Sequence, residues 1–312
     1  MYLEQCGNGA DDGVDIEFQD DGRVILHGSQ QCNGQGHQTT VTQILSDRLG
    51  YDADLITVKQ GDSNRSPRGT TGGARMTAVL GSATTVAAAK IIDLAKPFAA
   101  EALECDEDDL NFTDGLFLRQ DTNRSIAIED LVRQLAISGE KHRLNWAQPY
   151  ETDGATYPYG CHIIELEIDR QTCAVEIASY HVVDDFGLVI NPLTLEGQIH
   201  GGIAQGVGQA LLEHVVYDDS GQLLAGSLMD YALPRADHFP GFQISTRNTA
   251  CANNALGIKG SGEAGAIGAP QAVISAICDA LDITHIDMPA TPLAIFHAMK
   301  AKAANSPMHK GE

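Results

Sequence analysis

The chain has few cysteines, and their spacing argues against a metal cluster. Seven occur among 312 residues, and no two form a C-x-x-C pair. An iron–sulfur cluster or a structural zinc site needs several thiolates at short, regular spacing, so neither is expected on this chain. An odd, scattered set is instead typical of reduced, mostly buried thiols in the cytoplasm. The seven are Cys6, Cys32, Cys105, Cys161, Cys173, Cys251 and Cys278.

Basic residues are also scarce, since 20 Lys and Arg stand against 42 Asp and Glu and give a formal net charge of −22. Such an acidic chain offers little attraction to nucleic acid or to an anionic membrane. The first six residues have neither the basic nor the apolar segment of a signal peptide, and no apolar run is expected to approach membrane-spanning length. We therefore predict a cytoplasmic chain of one or two domains with no nucleic-acid or membrane partner.

Several catalytic motifs are missing from the sequence. It contains no H-E-x-x-H pair for a zinc protease, no G-x-S-x-G turn for a serine hydrolase and no complete Walker A loop. No glycine fingerprint follows a strand and precedes an acidic residue by about 20 positions, which disfavours a nicotinamide-dependent dehydrogenase. The histidines are therefore assigned to core and surface positions rather than to metal sites, among them His162, His181, His200 and His285.

The most informative segment that is present runs from Lys259 to Pro270 and places one carboxylate, Glu263, among four glycines. Glycine permits unusual backbone angles and lets another molecule approach the main chain closely. Pro270 suits a first helical turn, and residues 271–281 continue with helical period. Glu263 is therefore predicted to lie on a fixed loop at a helix entrance. The alternative is that it only complements the helix dipole, an interaction worth about 0.3–1 kcal/mol.

Three more glycine-rich segments precede helical patterns, at 34–39, 68–75 and 201–208. Free N–H groups at helix entrances favour anions, especially phosphate. Local cations are limited to Arg68, Arg75 and Lys259, so backbone donors are expected to meet most of a ligand's negative charge. The segments together predict a site for a large anionic cofactor, although glycines used only for tight turns give a similar pattern singly.

Strand hairpins and helices alternate along the chain, which predicts an α+β fold. The polar stretch 145–158 separates two runs of the same order, in which a hairpin, a loop and a glycine-opened helix follow one another. We therefore predict two similar subdomains, 1–150 and 151–312, with the glycine loops converging at their interface. The predicted elements are hairpins at 14–27, 110–118 and 161–183, a strand at 55–58, and helices after Gly36, after Arg75, over 201–212, from Pro270 and from Pro292.

Six segments in the same order resemble the molybdopterin-binding subunit of the xanthine dehydrogenase and aldehyde oxidase family. The likeness is greatest to bacterial members of the carbon monoxide dehydrogenase and aromatic-heterocycle hydroxylase types. It runs over almost the whole chain but covers only part of the family's large subunit. The six segments are GQGHQT, GDSNRSPRGTTGGAR, VVDDFGLVINPLTLEGQIHGGIAQGVGQALLE, GSLMDYALPRAD, LGIKGSGEAGAIGAP and IDMPATP. One departure is Gly73-Ala74-Arg75-Met76, where the family commonly has GGSRS.

The resemblance implies a role for each matching residue. Glu263 matches the glutamate beside molybdenum that acts as the general base, and Gln205 matches a glutamine near the metal and the pterin. No residue is expected to ligate the metal directly, because the pterin dithiolene holds it. The cofactor-binding residues that the resemblance implies are Gly34, Gln35, Gly36 and His37 at the pterin and its phosphate, Thr71, Gly72, Gly73 and Arg75 at the dinucleotide, Asp185 and Asn191 near that dinucleotide, and Gly262 beside the base.

The implied function is the oxidative hydroxylation of an aldehyde or N-heterocycle, or the oxidation of carbon monoxide, with water as the oxygen source. The implied cofactor is molybdenum bound to molybdopterin cytosine dinucleotide. [2Fe-2S] clusters and FAD are expected only on partner chains, namely an iron–sulfur subunit and an FAD subunit, beside the first molybdenum-binding part of the large subunit in an oligomer. The alternative function is a non-catalytic cofactor-binding fragment or scaffold subunit that is inactive without its partner chain.

Overall fold

The computed structural model of the chain describes residues 1–7, 11–65 and 69–305. Two four-stranded sheets, a three-stranded sheet and six α-helices lie in these ranges, which confirms the α+β class. The strands are β1 (Tyr2–Leu3), β2 (Asp11–Phe18), β3 (Val24–Gly28), β4 (Ile56–Gln60), β5 (Leu110–Thr113), β6 (Leu116–Arg119), β7 (Ser125–Ala127), β8 (Trp146–Glu151), β9 (Tyr159–Ile168), β10 (Val175–Asp185) and β11 (Phe242–Thr246). The helices are α1 (His37–Leu49), α2 (Ser82–Leu103), α3 (Ile128–Ile137), α4 (Pro192–Leu211), α5 (Ala264–Leu281) and α6 (Pro292–Asn305).

The two larger sheets share one topology. In the first, the order is β4-β3-β2-β8, and in the second it is β11-β10-β9-β1. Each contains a hairpin whose second strand leads through a helix to a parallel neighbour, which is β4 after α1 and β11 after α4. The fourth strand of each sheet pairs antiparallel with the first strand of the hairpin. The predicted hairpins are therefore present, and the repeated order along the chain corresponds to two similarly connected sheets.

Helix α1 begins after Gly36, as predicted, and glycine provides a left-handed residue at each of its ends. Gly36 precedes the helix with φ 76°, and Gly50 follows it with φ 60°. The apolar residues of its buried face divide between two clusters. Val41, Leu45 and Leu49 join the core of the first sheet, and Ile44 joins a smaller cluster with Ala78.

The starts predicted for α4 and α5 were wrong. Helix α4 begins at Pro192, where the Asn191 side chain accepts a hydrogen bond from the Thr194 N–H at 3.0 Å. The helix predicted over 201–212 therefore starts too late, and the glycines at 201–208 lie in the interior of α4. Helix α5 begins at Ala264, so Pro270 lies in its interior rather than in its first turn.

Close packing of α4 on α5 explains the glycines within both helices. A Cβ atom added to Gly265 would lie 2.5 Å from the backbone nitrogen of Ile203, and one added to Gly202 would lie 3.0 Å from the Gly265 Cα atom. At Gly206 an added Cβ would lie 2.8 Å from the Cβ atom of Ala269. These positions let the two helix backbones meet directly, which fixes where α5 begins.

Each large sheet has its own hydrophobic core. The first core takes its buried residues from 14–144, and the second takes them from 173–295. A small cluster that includes Ile44, Ala78, Leu256 and Ile258 joins the two halves. The first strand, β1, pairs with β9 of the second sheet, so residues 2–3 cross the predicted division near residue 150.

Two helices are long and apolar enough to cross a membrane by length and composition alone, contrary to the expectation from the sequence. One runs from Thr77 to Leu103 and the other is α5, and 61% and 33% of their apolar windows are buried within the chain. Core helices pass the same test, so this finding assigns neither helix to a membrane.

Candidate functional site

A cleft with a volume of about 290 Å³ lies where four strand-to-helix connections meet. These connections join β3 to α1, β4 to α2, β10 to α4 and β11 to α5, so each sheet contributes two of them. Ligand sites form outside the carboxyl ends of strands in sheets that are connected in this way. The lining consists of Gln35, His37, Thr40, Phe186, Thr194, Leu195 and Gln198 together with residues 71–78, 188–191 and 258–263.

The entrance to α1 concentrates backbone N–H donors. The thiol of Cys32 donates to Gln35 Oε1 at 3.5 Å, and the backbone N–H groups of Gly34, Gln35, Gly36 and His37 lie around it. Burial alone would raise the pKa of this thiol, but the four donors outweigh burial and lower it. Converging N–H groups at a helix entrance form a binding site for an anion. We call these four residues the α1 nest.

Two side chains of the α1 nest line the cleft. Gln35 is held by its Oε1 atom, which accepts from the Asn33 N–H at 2.6 Å. His37 is 5% exposed, and burial lowers its pKa although a hydrogen bond to the Gln31 backbone opposes that effect. Its Nδ1 atom has no hydrogen-bond partner among the described residues. A neutral imidazole with an unused nitrogen is therefore available to a ligand.

The connection from β4 to α2 supplies the opposite wall. Thr71 is anchored by a 2.6 Å hydrogen bond from Oγ1 to the Gln31 carbonyl. A Cβ added to Gly72 would meet no atom within 4 Å, so the backbone there borders open space. Arg75 binds the Thr70 carbonyl at 3.1 Å and the Thr70 hydroxyl at 2.6 Å. Arg68, the other cation predicted in this segment, lies outside the described residues.

Asp185 and Lys259 form a buried ion pair beside the cleft. The Lys259 Nζ atom lies 3.0 Å from Asp185 Oδ2, and their side chains are 9% and 1% exposed. Burial alone would raise the pKa of Asp185, but donors from Gly187, Lys259 and Thr249 hold it well below its usual range. The contact is an ion pair rather than a well-aligned hydrogen bond, since Oδ2 has no partner by hydrogen-bond geometry. Lys259 is thus largely neutralised by Asp185.

Glu263 occupies the residue just before α5, as predicted, and its side chain lines the cleft. Its carbonyl begins the helix by accepting from the Ile267 N–H at 3.0 Å, but its carboxylate makes no capping hydrogen bond. A glutamate kept only to stabilise the helix end would gain most from such a bond. Glu263 is exposed and lines the cleft between the glycine-rich connections.

The cleft brings together most of the predicted site residues. Gln35, His37, Thr71, Gly72, Gly73, Arg75, Asn191, Gly262 and Glu263 line it, whereas Gly34, Gly36, Asp185 and Gln205 do not. Gly34 and Gly36 belong to the α1 nest, and Asp185 acts on the lining through Lys259. Gln205 is exposed on α4. Sequence reasoning missed six apolar lining residues: Met76 and Ile258 adjoin glycine-rich segments, whereas Phe186, Leu188, Val189 and Leu195 lie outside them.

Comparison with known proteins relates the chain to one protein family. Residues 1–240 match the model of the molybdopterin cofactor-binding domain. The chain is 33% identical over 302 residues to the carbon monoxide dehydrogenase large chain of Hydrogenophaga pseudoflava, covering 94% of this chain and 38% of that protein. It is 33% identical over 300 residues to the nicotine 6-hydroxylase large subunit of Paenarthrobacter nicotinovorans, covering 93% of this chain and 37% of that subunit.

The fold agrees with the sequence comparison. The carbon monoxide dehydrogenase structure from Oligotropha carboxidovorans superposes with a TM-score of 0.89 at 29% identity, over 97% of this chain and 40% of that one. The chain belongs to the molybdopterin cofactor-binding domain family. More particularly, it corresponds to a portion of the large, molybdenum-binding subunit of the xanthine dehydrogenase family, which confirms the predicted resemblance. It spans less than two fifths of the relatives' length.

The residues at the cleft fit a molybdopterin cofactor. The α1 nest offers four backbone donors to a phosphate group. His37 has an unused buried nitrogen, and Gly72 leaves room for a ligand against the main chain. An anionic, hydrogen-bonding group of this kind is held mainly by backbone donors in a chain of such negative charge.

Cys32 gives a direct test of the α1 nest. We expect iodoacetamide to alkylate Cys32 at neutral pH before the buried Cys6 and Cys173, because the thiolate is the nucleophile and the α1 nest lowers the pKa of Cys32. Inorganic pyrophosphate should slow this labelling by occupying the same donors. Mass spectrometry of tryptic peptides measures both effects. Labelling of Cys32 at an unchanged rate in saturating pyrophosphate would contradict the anion site.

Proposed function

We propose that this chain is the part of a molybdenum hydroxylase that binds molybdopterin cytosine dinucleotide and supplies a general base. Glu263 is that base, in the oxidative hydroxylation of an aldehyde or N-heterocycle or in the oxidation of carbon monoxide, with water as the oxygen source. The observation that carries the proposal is the uncapped, exposed carboxylate of Glu263 in a cleft of glycine-rich connections. The nicotine hydroxylase and carbon monoxide dehydrogenase relatives support the range of substrates.

The chain's own residues hold the base in place. Glu263 is attached to the first turn of α5, and Gly265 packs that turn against the α4 backbone. Gly260 and Gly262 bring the preceding loop against Ala74 on the opposite wall. The carboxylate thus has a rigid attachment and access to the cleft, which are the requirements for accepting a proton from a bound reactant. When bound, the molybdenum cofactor supplies the two-electron redox chemistry.

The remaining lining residues are assigned to cofactor binding. The α1 nest and His37 would hold the pterin and its phosphate, and Thr71 to Gly73 with Arg75 would hold the nucleotide. Gly262 would lie beside the metal end with Glu263. Asn191 is fixed at the entrance of α4 by donating to the Gln43 side chain at 3.0 Å, which supports a position near the nucleotide. Asp185 contributes by orienting Lys259, and Gln205 is proposed to support the site from α4.

The form of the cofactor can be tested by nucleotide analysis. We expect acid hydrolysis of the loaded enzyme to release CMP in a molar ratio to molybdenum of about one, because a dinucleotide cofactor carries one nucleotide per metal. Chromatography against CMP, GMP and AMP standards provides the measurement. GMP as the main product would contradict the cytosine form while leaving the pterin site intact.

The chain spans only part of the length of its relatives, which supports the need for partner chains. Since the chain spans 38% of its carbon monoxide dehydrogenase relative, we propose that it works with the first molybdenum-binding part of a large subunit, an iron–sulfur subunit and an FAD subunit in a cytoplasmic oligomer. The apolar residues Ile203 and Val207 of the glycine-rich part of α4 do not form a contact face, because they are buried at 0% and 1% exposure. The exposed apolar residues that support a contact are Leu193, Leu228, Met229 and Leu233.

Metal loading tests the need for a partner. We expect the chain purified alone to contain little molybdenum, because a site that lacks many of its contacts loses most of the affinity for a large cofactor. Co-expression with the polypeptide that supplies the remaining large-subunit sequence should restore about one molybdenum per chain, measured by plasma mass spectrometry. Stoichiometric molybdenum on the chain alone would overturn this expectation. Full loading with a partner but no turnover would favour the non-catalytic scaffold function.

A further inference from the structure

The segment from Tyr2 to Gly7 is wedged between two walls of the cleft. The Cys6 backbone exchanges hydrogen bonds of 2.8 and 2.9 Å with Thr156, and the Gly7 N–H donates to the Gly73 carbonyl at 3.0 Å. A Cβ on Gly260 would lie 2.7 Å from the Cys6 Sγ atom. This segment therefore supports both the β4-to-α2 connection, through Gly73, and the loop that carries Glu263, although it contributes no residue to the cleft lining.

Glu4 is the acidic residue of this segment, and it is 7% exposed. Its carboxyl group adjoins the carboxyl group of Glu263 and the thiol of Cys6. Its Oε2 atom nevertheless has no donor among the described residues when both carboxyl groups are ionised. A buried carboxylate oxygen without a donor is costly, and two adjoining carboxylates repel each other. One proton shared by the pair removes both costs.

The neighbouring titratable groups favour this protonation. Burial raises the pKa of Glu4, the Cys6 thiol opposes that effect, and the charge and contact of Glu263 raise it further. Burial and Glu4 raise the pKa of Cys6, so Cys6 remains a thiol donor. Burial also raises the pKa of Tyr2, to which Asp184 and Glu4 add. No cation is among the groups that act on Glu4 in the described chain.

We propose that Glu4 is a positioning residue whose carboxylic acid donates a hydrogen bond to the Glu263 carboxylate, so that the two side chains share one proton. The donor holds Glu263 toward the cleft in its proton-accepting form. This inference rests on the proposed function for its catalytic meaning. The shared proton itself is a property of the folded chain and is tested without the cofactor.

The first test measures stability against pH on the full chain. A carboxyl group whose folded pKa exceeds its ordinary value of 4.5 contributes stability that is fully present below that value and is lost as pH rises through the folded pKa. The free energy of unfolding of the Glu4→Gln chain should lack this decline. Between pH 4.5 and the folded pKa of Glu4, the slopes of the two stability curves against pH should differ by the equivalent of nearly one proton. The matched control Glu101→Gln, an exposed glutamate on α2, should keep the wild-type slope.

A second variant tests the coupling between the two carboxyl groups. Glu263→Gln should move the decline due to Glu4 to lower pH, because it removes the neighbouring negative charge. Urea unfolding at a series of pH values gives both curves. Parallel curves of stability against pH for wild type and Glu4→Gln would overturn the shared proton. It would also be overturned if Glu263→Gln left the pH of the wild-type decline in stability unchanged.

The catalytic meaning is tested in the loaded enzyme assembled with its partners. Glu4→Leu should lower turnover about 10- to 100-fold, the effect of losing a hydrogen bond to a charged group, and Glu4→Gln should rescue most of that loss. The rescue is the readout that a merely structural role would not move, because glutamine keeps a donor for the Glu263 carboxylate and leucine does not. A loss of turnover in Glu4→Gln as large as that in Glu4→Leu would reduce Glu4 to a structural residue. If Glu263→Gln kept full turnover while the pH–stability result held, the proposed function would fail and the shared proton would stand.

Discussion

In the loaded enzyme, Glu263→Gln is expected to lower kcat by about 10²–10⁴-fold while molybdenum content stays near the wild-type level. The amide keeps the volume of the side chain and its hydrogen-bonding capacity, but it cannot accept a proton. The substitution touches neither of the proposed cofactor contacts, which are the α1 nest and the Thr71 to Gly73 backbone. Steady-state kinetics and metal analysis on the same preparation separate the two effects.

Two other variants serve as comparisons for the Glu263→Gln result. Glu196→Gln removes an exposed carboxylate from α4, outside the cleft lining, and should leave kcat unchanged. Gln205→Ala should lower turnover only partially, by loosening the support of the site. Near-wild-type turnover of Glu263→Gln at full molybdenum occupancy would restore the helix-dipole explanation for this residue.

The local features of the fold could be predicted from the sequence because their causes are local. Gly36 and Gly50 determine both ends of α1 through left-handed backbone angles that glycine adopts without strain. The hairpin of β2 and β3 follows from alternating residues on either side of the turn at Asp21-Gly22. Neither inference required knowledge of a distant part of the chain.

The start of α4 has a local cause, the Asn191 cap before Pro192, that the prediction missed, whereas the helical conformation of the glycines in α4 and α5 depends on tertiary packing. Each glycine costs a helix about 1 kcal/mol relative to alanine, so several in a row favour a loop on propensity alone. The partner helix reverses that preference, since Gly202 and Gly265 let the two backbones meet. No pattern within residues 201–208 reveals which distant segment will pack there.

The residues of the candidate site also differ in whether the sequence could reveal them. Glu263 was predicted from its own glycine-rich segment at a helix entrance, whereas the roles of Thr71 and Gly72 were implied by the family resemblance. The pairing of Asp185 with Lys259 joins residues 74 positions apart and depends on how β10 meets the loop before α5. Glu4 carried no signal at all, because a single glutamate near a short strand is ordinary until the fold brings it to Glu263.

The packing of α4 on α5 leads to the prediction with the largest expected effect on stability. In Gly265→Ala, the new Cβ would lie 2.5 Å from the Ile203 nitrogen, 2.7 Å from the Gly202 carbonyl carbon and 2.8 Å from the Ile199 oxygen. All three are backbone atoms, so relief requires α4 itself to move. Overpacking of this kind costs about 3 kcal/mol, and the better helix propensity of alanine returns about 1 kcal/mol. The free energy of unfolding should therefore fall by about 2 kcal/mol.

Gly201→Ala is the matched control, because it makes the same chemical change in α4 at a position where an added Cβ meets no atom within 4 Å. It should raise the free energy of unfolding by up to about 1 kcal/mol through helix propensity alone. Urea denaturation monitored by circular dichroism measures both variants, with the m-value checked for constancy. Because Gly265 lies two residues after Glu263, the destabilised variant should also lose turnover in the loaded enzyme, whereas Gly201→Ala should not. Equal shifts in stability for the two substitutions would show that α4 and α5 do not meet at Gly265, and that the position of Glu263 depends on other contacts.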